Sequence, residues 1–473
     1  MFPLFFLLFC LVVLLIIIWA VLYKDVLSPS VLLHLSFIGA ILLLIKGSER
    51  LEIKSYSYET SFLLLMGILS FTLGGIIRAL IENDRIRPYS GLRNPQPLIV
   101  KNYLYVVFVL FTVIVAYVQF KHEVAYAGFA GAFTEIVSNY RDDAVMLGVE
   151  PNPFVALASR MIFALQPLFI FLTLYNKIVC KRKIVNLTIL IPCILVYFVS
   201  IFVIAGSRGR IFTILFQILF ALSICYNFVG YNKGNRNNNI ISAGDKIWLK
   251  FLLLVVLIGI PTFYYIGVIQ GKRYSEMSLF EPVENYFSYG LIHLNHTVDT
   301  GVYEVKDFGG WSFAGFYSAL NKFGAEYPFY DSIPFYDRYG NTLTLFGRWY
   351  QDFNIIGVAI MSLLVGYFFS FVYYKMIYAR NNASVIKNSS LYVFFMSTII
   401  MASYDDWVKS LLTINGIFQI LFLYVVLLLV TINLNKRDNC LIVPYTKIVI
   451  NKHDLLSLKD EIIVRLVMKS KKN

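Results

Sequence analysis

About eleven separate runs of roughly 18 to 22 apolar residues recur along this chain, and a run of that length matches the hydrocarbon thickness of a bilayer. In lipid every backbone amide and carbonyl has to be satisfied within the protein, so such runs have one general solution, the α-helix. The runs are Phe2–Leu22, Val26–Ile45, Ser61–Ile81, Tyr103–Phe120, Phe154–Tyr175, Leu187–Ile204, Ile211–Phe228, Trp248–Ile269, Ile355–Tyr374, Leu391–Met401 and Leu411–Leu434. The tenth is the shortest, and a re-entrant or hairpin-like segment is an alternative there. Of the 473 residues, 58% are hydrophobic and only 15% charged, against about 25% charged in soluble domains. The fold class expected is an all-α polytopic membrane protein of about eleven transmembrane helices, with 10 to 12 as the range.

The first run has no basic residue before it and no small-residue cleavage site after it, since it ends in Tyr23-Lys24-Asp25, so it reads as a retained helix. Cys10, Cys193 and Cys225 fall inside apolar runs, and Cys180 and Cys440 lie in basic flanks. None has the spacing of a metal site or of a disulfide framework.

Basic residues set the orientation, because short cytoplasmic loops hold an excess of them. Arg85, Arg87, Arg93 and Lys101 share one loop; Lys177, Lys181, Arg182 and Lys183 share another. Lys233, Arg236, Lys246 and Lys250, then Lys375, Arg380 and Lys387, then the tail to Lys472, follow on the same side of the helix count. The N-terminus is therefore expected outside and the C-terminus in the cytoplasm. The net charge of +13 is accounted for by cytoplasmic anchoring to anionic lipid, and no nucleic-acid partner is inferred from it.

This divides the chain into an N-terminal bundle (1–269), a large outer loop (270–352), C-terminal helices (353–434) and a basic cytoplasmic tail (435–473). The bundle carries an outer loop at 121–153 and an arginine turn at 206–210. The large loop is rich in Tyr, Phe, Gly, Asn and Asp, which argues for an ordered cap rather than disorder.

Gly206-Ser207-Arg208-Gly209-Arg210 places two arginines between apolar runs on the side where basic residues are scarce. An arginine at a bilayer centre costs about 2.5–3.5 kcal/mol on insertion scales, so an anionic partner is one explanation, and snorkelling to headgroups is the other. The guanidinium fork matches two phosphate oxygens, and an extended or turn backbone at Gly209 would let both forks reach one ligand. The earlier loop offers Tyr140-Arg141-Asp142-Asp143, a phosphate contact or a local ion pair. His293 and His296 share a face if their stretch is helical; ordinary loop histidines and a proton-transfer role are both open. The segment from Arg338 through Asn341, Arg348, Tyr350 and Asp352 leads into the ninth run, where Asn341 or Asp352 acts as a helix cap or as part of a site. Asp405-Asp406-Trp407 reads as a solvated helix end, with a base as the alternative. Walker, dinucleotide, zinc-hydrolase and nucleophile-elbow motifs are absent, so nucleotide-driven and zinc-hydrolase readings lose their support.

The arginine turn, the Tyr140-Arg141 pair and the Gly340-Asn341-Thr342 to Tyr350-Gln351-Asp352-Phe353 pattern together resemble the Wzy-type O-antigen or oligosaccharide repeat-unit polymerases along nearly the whole chain. The Asp-Phe-Gly usual in that family here reads Asp352-Phe353-Asn354, with Gly357 following. The resemblance implies a fold like the C-type membrane glycosyltransferases and O-antigen ligases, in the bacterial cytoplasmic (inner) membrane with the site facing the periplasm or exterior. Donor and acceptor would both be polyprenyl-diphosphate-linked oligosaccharides, the growing chain passing onto a new repeat unit, without metal or nucleotide. Membrane lipid, a flippase and a chain-length regulator would be its partners. On this reading Arg208 and Arg210 stabilise the departing diphosphate, and His296, His293 or Asp352 accepts the acceptor proton. Arg141, Arg348, Asn341 and Tyr350 contact substrate. An O-antigen ligase, or a non-enzymatic lipid-linked oligosaccharide flippase, is the alternative. A flippase would line its spans with charge, and these spans are nearly uncharged.

Overall fold

The computed structural model describes residues 2–21, 25–53, 55–82, 89, 92, 95–98, 102–127, 153–181, 209–232, 243–269, 277–301, 308–329 and 342–432. Among them there is no strand. The helices are α1 Phe2–Val21, α2 Pro29–Gly47, α3 Tyr58–Ile81, α4 Asn102–Ala127, α5 Pro153–Leu174, α6 Gly209–Asn232 and α7 Ala243–Ile269. There follow α8 Glu281–Thr300, α9 Ala314–Lys322, α10 Leu345–Ile377, α11 Asn382–Ile400, α12 Trp407–Leu412 and α13 Ile414–Ile432.

Nine helices among the described residues are long and apolar enough to cross a membrane: α1, α2, α3, α5, α6, α7, α10, α11 and α13. The described apolar part of α4, Val106–His122, is shorter. The chain has the all-helical build of a multi-pass membrane protein. The expected run Leu187–Ile204, the loop 121–153 apart from its first residues and last one, and the tail 435–473 lie outside the described residues. The expected tenth run proves part of a longer helix, the 19-residue α11. Its first half carries Asn382, Lys387, Asn388, Ser389 and Ser390, which depress hydropathy, but Asn382, Ser389 and Ser390 are buried against protein rather than lipid. Asn381 caps it through the Ser384 amide at 2.7 Å.

Two ends of the bundle can be told apart, an upper end carrying Gly47 and Tyr58 and a lower end carrying Asp25 and Ile377. At the lower end the buried Asp25 carboxylate accepts hydrogen bonds from the Tyr89 hydroxyl (2.7 Å), the Tyr373 hydroxyl (2.8 Å) and the Leu27 amide (2.9 Å). Tyr392 donates to the Leu27 carbonyl. One carboxylate thus joins the α1–α2 turn, the α3–α4 connection and α10.

The central feature is the path of α10 beside α3. Gly67 lies against Phe346, whereas Phe71 lies against Gly366 and Gly74 against Leu363 and Tyr367. From Gly67 to Phe71 is about 6 Å of helix rise, but a straight helix from Phe346 to Gly366 would cover about 30 Å. The chain therefore climbs along α3 from Leu345, reverses at Asn354 (φ 56°, ψ −164°), and descends from Ile355. The expected ninth span begins where the descending arm does; the ascending arm was assigned to the outer loop. Positive φ combined with extended ψ is a region that glycine alone adopts freely. Asparagine in place of the glycine of Asp-Phe-Gly therefore holds this turn under strain, with its side chain accepting from the Ile355 amide at 2.8 Å. Gly357 closes it, since a Cβ there would meet the Cβ of Phe353.

Close approach of α3 and α10 depends on glycine. A Cβ on Gly74 would run into the Leu363 carbonyl, and one on Gly366 into that of Phe71, while one on Gly39 of α2 would meet nothing. Backbone cannot give way as a side-chain tip can, so Gly74→Val and Gly366→Val should each lower stability by roughly 1–3 kcal/mol or more, and Gly39→Ala should not. Thermal unfolding of the purified variants in detergent checks this; a Gly74→Val midpoint equal to wild type would contradict the packing.

Candidate functional site

The site grows from the segment that begins the ascending arm. Leu343, Thr344 and Leu345 are fully buried. The Leu345 amide donates to the Ala402 carbonyl (2.9 Å) and the Asp406 amide to the Leu343 carbonyl (3.1 Å), so this segment is laced to the turn after α11. Phe346 stacks on Phe37 of α2 (5.2 Å) and Trp349 is buried beside it, which turns that face of the arm into the core. Arg348 and Asp352, four residues apart, share another face.

Arg348 is only 7% exposed, and its Nε and Nη1 make no hydrogen bond to any described protein group. Its charge acts on His293 of α8 and on Asp405 and Asp406 of the turn before α12, yet none of these carboxylates lies within ion-pair distance of it among the described residues. A buried guanidinium held close to, but not against, its counter-charges has unused donors for an anionic or strongly polar group.

His293 is fully buried, and its Nδ1 lies 3.0 Å from the Thr342 carbonyl. A carbonyl only accepts, so Nδ1 carries the proton and Nε2 the lone pair of the neutral ring. Burial, with smaller contributions from His296 and Arg348, pushes its pKa down to about 4 despite the carbonyl's opposing pull. His296 is half-buried three residues further along α8, its pKa also lowered by burial. α8 is held by Glu284, which pairs with Lys46 and with Arg50 (3.2 Å), and by Asn295, which accepts from the Ser57 amide (2.8 Å). The stretch is helical, as a shared histidine face requires.

Asp405 and Asp406 do not form the solvated helix end expected of them. Asp406 is 5% exposed, and its Oδ1 caps α12 through the Lys409 amide at 3.0 Å, while Oδ2 is buried without a hydrogen-bond partner among the described residues. Burial pushes the pKa of Asp406 up to about 6, against the lowering effect of Arg348, and raises that of Asp405 as well. The physical reason is the ascending arm, which covers a turn that would otherwise face outward. An acidic pair directly after an apolar run, at the same expected end as Arg348, was the available signal.

Asp352 occupies a definite structural position. Its Oδ1 accepts from the Trp311 amide (3.0 Å) and its Oδ2 from the Ser312 amide (2.6 Å), so it fastens the turn before α9, while burial raises its pKa against the lowering effect of these bonds and of Arg348. Tyr350 is half-buried against the main core. Of the other candidates, Arg141, Arg208 and Asn341 lie outside the described residues. Gly209 and Arg210 form the first turn of α6, so the backbone at Gly209 is helical and not the extended or open turn expected; the apolar run simply starts its helix two residues early. The Arg210 side chain lies outside the described residues. Among the described residues no three His, Cys, Asp or Glu side chains come together as a metal site would require.

The fold and this cluster define a multi-pass helical protein with a buried cluster of charged and polar side chains at its upper end. No protein-family model matches the chain, and no curated protein or solved structure matches it either.

Two predictions follow from the geometry. Hydrogen bonds to a charged group contribute about 1.5–3 kcal/mol each, so Asp352→Ala should release the 308–313 turn and raise amide exchange there by at least tenfold in hydrogen–deuterium mass spectrometry, with Asp352→Asn intermediate. The second concerns pH. Between about pH 4 and 6.5 the unfolded chain binds the proton that folded His293 refuses, so this group makes stability fall on acidification. Between about pH 3.8 and 6 folded Asp406 holds a proton that the unfolded chain releases, so it makes stability rise on acidification. His293→Gln and Asp406→Asn, the latter still able to cap α12, should therefore tilt the stability–pH slope in opposite directions across this window.

Proposed function

We propose that this protein is a membrane glycosyltransferase of the repeat-unit polymerase type, acting on a polyprenyl-diphosphate-linked glycan as both donor and acceptor. The observation that carries the reading is Arg348, buried with hydrogen-bond donors to spare beside a neutral histidine and two carboxylates. The distribution of basic residues supports this upper end as the outer one, and on this reading it faces outward from a bacterial cytoplasmic membrane, where lipid-linked repeat units are presented after flipping.

Breaking the bond from the anomeric carbon to its phosphate oxygen leaves the electron pair, and negative charge, on the departing lipid diphosphate. Fixed guanidinium groups in a poorly hydrated site stabilise that charge as it forms. Arg348 supplies one, with Arg208, Arg210 and Arg141 as further donors to the diphosphate. The acceptor hydroxyl gives up its proton as its oxygen attacks. Neutral His293 and His296, and the carboxylates of Asp405 and Asp406, are the acceptors at hand; Asp352 serves as a positioning residue, and Asn341 and Tyr350 contact sugar.

The test is glycan analysis of a deletion strain. Loss of a polymerase leaves single repeat units on the cell surface; loss of a ligase leaves unattached polymer, and loss of a flippase traps lipid-linked units inside. In the complemented strain Arg348→Ala should lower polymer formation by about 10² to 10³, and Arg348→Lys should restore little, because a point charge does not replace a fork. Normal-length polymer from Arg348→Ala at wild-type protein level, or unattached polymer in the deletion strain, overturns the proposal.

A further inference from the structure

The segment from Phe308 to Phe329 bridges the upper ends of two spanning helices. At one side Phe308 and Phe313 pack on Phe353, the last residue of the ascending arm, with ring centroids 4.9 and 6.2 Å apart. At the other, Gly315 of α9 abuts Thr413, between α12 and α13, closely enough that a Cβ there would collide with the threonine side chain. Both neighbouring helices turn apolar residues outward: Ile356, Ile360 and Leu364 on α10, and Ile414, Ile417 and Leu421 on α13. On helices long enough to span a membrane, such residues face lipid.

The bridge continues the same surface. Phe308 is 77% exposed, Phe323 87% and Phe316 50%. Phenylalanine has no polar tip to gain from water, and an exposed apolar patch of this kind marks an interaction surface. The segment also meets the condition that an apolar medium imposes on backbone polar groups. The Trp311 and Ser312 amides go to Asp352; the Phe313 amide goes to the Gly309 carbonyl, and the Phe323 and Ala325 amides to the Leu320 carbonyl. Asn321 closes the far turn from both sides, accepting from the Tyr327 amide and donating to its carbonyl, each at 2.8 Å. The Tyr317 hydroxyl is likewise spent on the Phe308 carbonyl at 2.6 Å.

We propose that the segment from Phe308 through α9 to Phe323 lies within the apolar layer of the membrane, Phe308, Phe316 and Phe323 packed among lipid chains as a continuous lipid-facing surface with α10 and α13, and that the chain leaves this layer for water by Glu326. The occupant of this surface is the hydrocarbon of the surrounding bilayer. The placement stands whether or not the polymerase reading does; where that reading holds, it puts the lipid chain of the substrate beside the turn that Asp352 fastens.

Single cysteines at Phe308, Phe316 and Phe323, in full-length protein whose five native cysteines are serine, are spin-labelled and reconstituted into phosphatidylethanolamine–phosphatidylglycerol liposomes. Relaxation by oxygen, which partitions into lipid, is compared with relaxation by water-soluble nickel–EDDA. The three labels should match a label at Ile356, the lipid reference, and differ from one at the exposed Glu326. Nickel-dominated relaxation at Phe316 and Phe323 overturns the proposal and makes this surface a water-facing platform, as for sugar. On unsubstituted protein, a diazirine phospholipid should leave adducts within residues 308–329; their absence there, with adducts present on α10 and α13, also overturns it.

Discussion

The close contact of α3 with both arms of α10 is the constraint on which the rest depends. Three glycines, Gly67, Gly74 and Gly366, remove the side chains that would hold these helices apart, and in lipid such approach is a main source of helix association. Because α3 accommodates two arms of α10 at once, the polar face of the ascending arm is carried down into protein instead of standing above it. Arg348 is buried for that reason, and the turn at Asp405 and Asp406 is covered for the same one.

An interior of this kind reverses ordinary charge behaviour. His293 is kept neutral and Asp406 partly protonated near neutrality because burial penalises their charged forms more than neighbours reward them. Arginine keeps its charge at any accessible pH, so Arg348 supplies a fixed positive field among groups whose own charges are adjustable. That combination suits chemistry in which negative charge builds on one group while a proton leaves another.

Spans were the most legible part of the chain, because apolar length is a direct consequence of bilayer thickness. α11 was half-read because hydropathy measures affinity for lipid, and Asn382, Ser389 and Ser390 sit against protein. The reversal at Asn354 left only a faint mark, an asparagine where glycine is usual, and the ascending arm looked like the end of a loop. For the site, His293, Arg348 and Asp352 were visible as residue types, but their division of labour was not. Asp352 reads in the sequence as a helix cap or part of a site, and the fold adds that it fastens the Trp311–Ser312 turn, while the acidic pair that shares Arg348's field comes from a turn more than fifty positions later, a proximity that only the fold supplies. The arginines at 208 and 210 stand out by spacing and by lying on the side where basic residues are scarce, and at Gly209 a helix replaces the expected open turn.

The Asp25 network also has a consequence for biosynthesis. Its carboxylate is made early, yet one of its partners, Tyr373, lies 348 residues downstream. At translation rates of about 5–20 residues per second the two are separated by tens of seconds. Throughout that interval the α1–α2 hairpin has an acidic group with its final environment unfinished. The α1–α2 turn therefore reaches its final hydrogen-bonded form only once α10 has been made, whatever the order in which the helices enter the membrane.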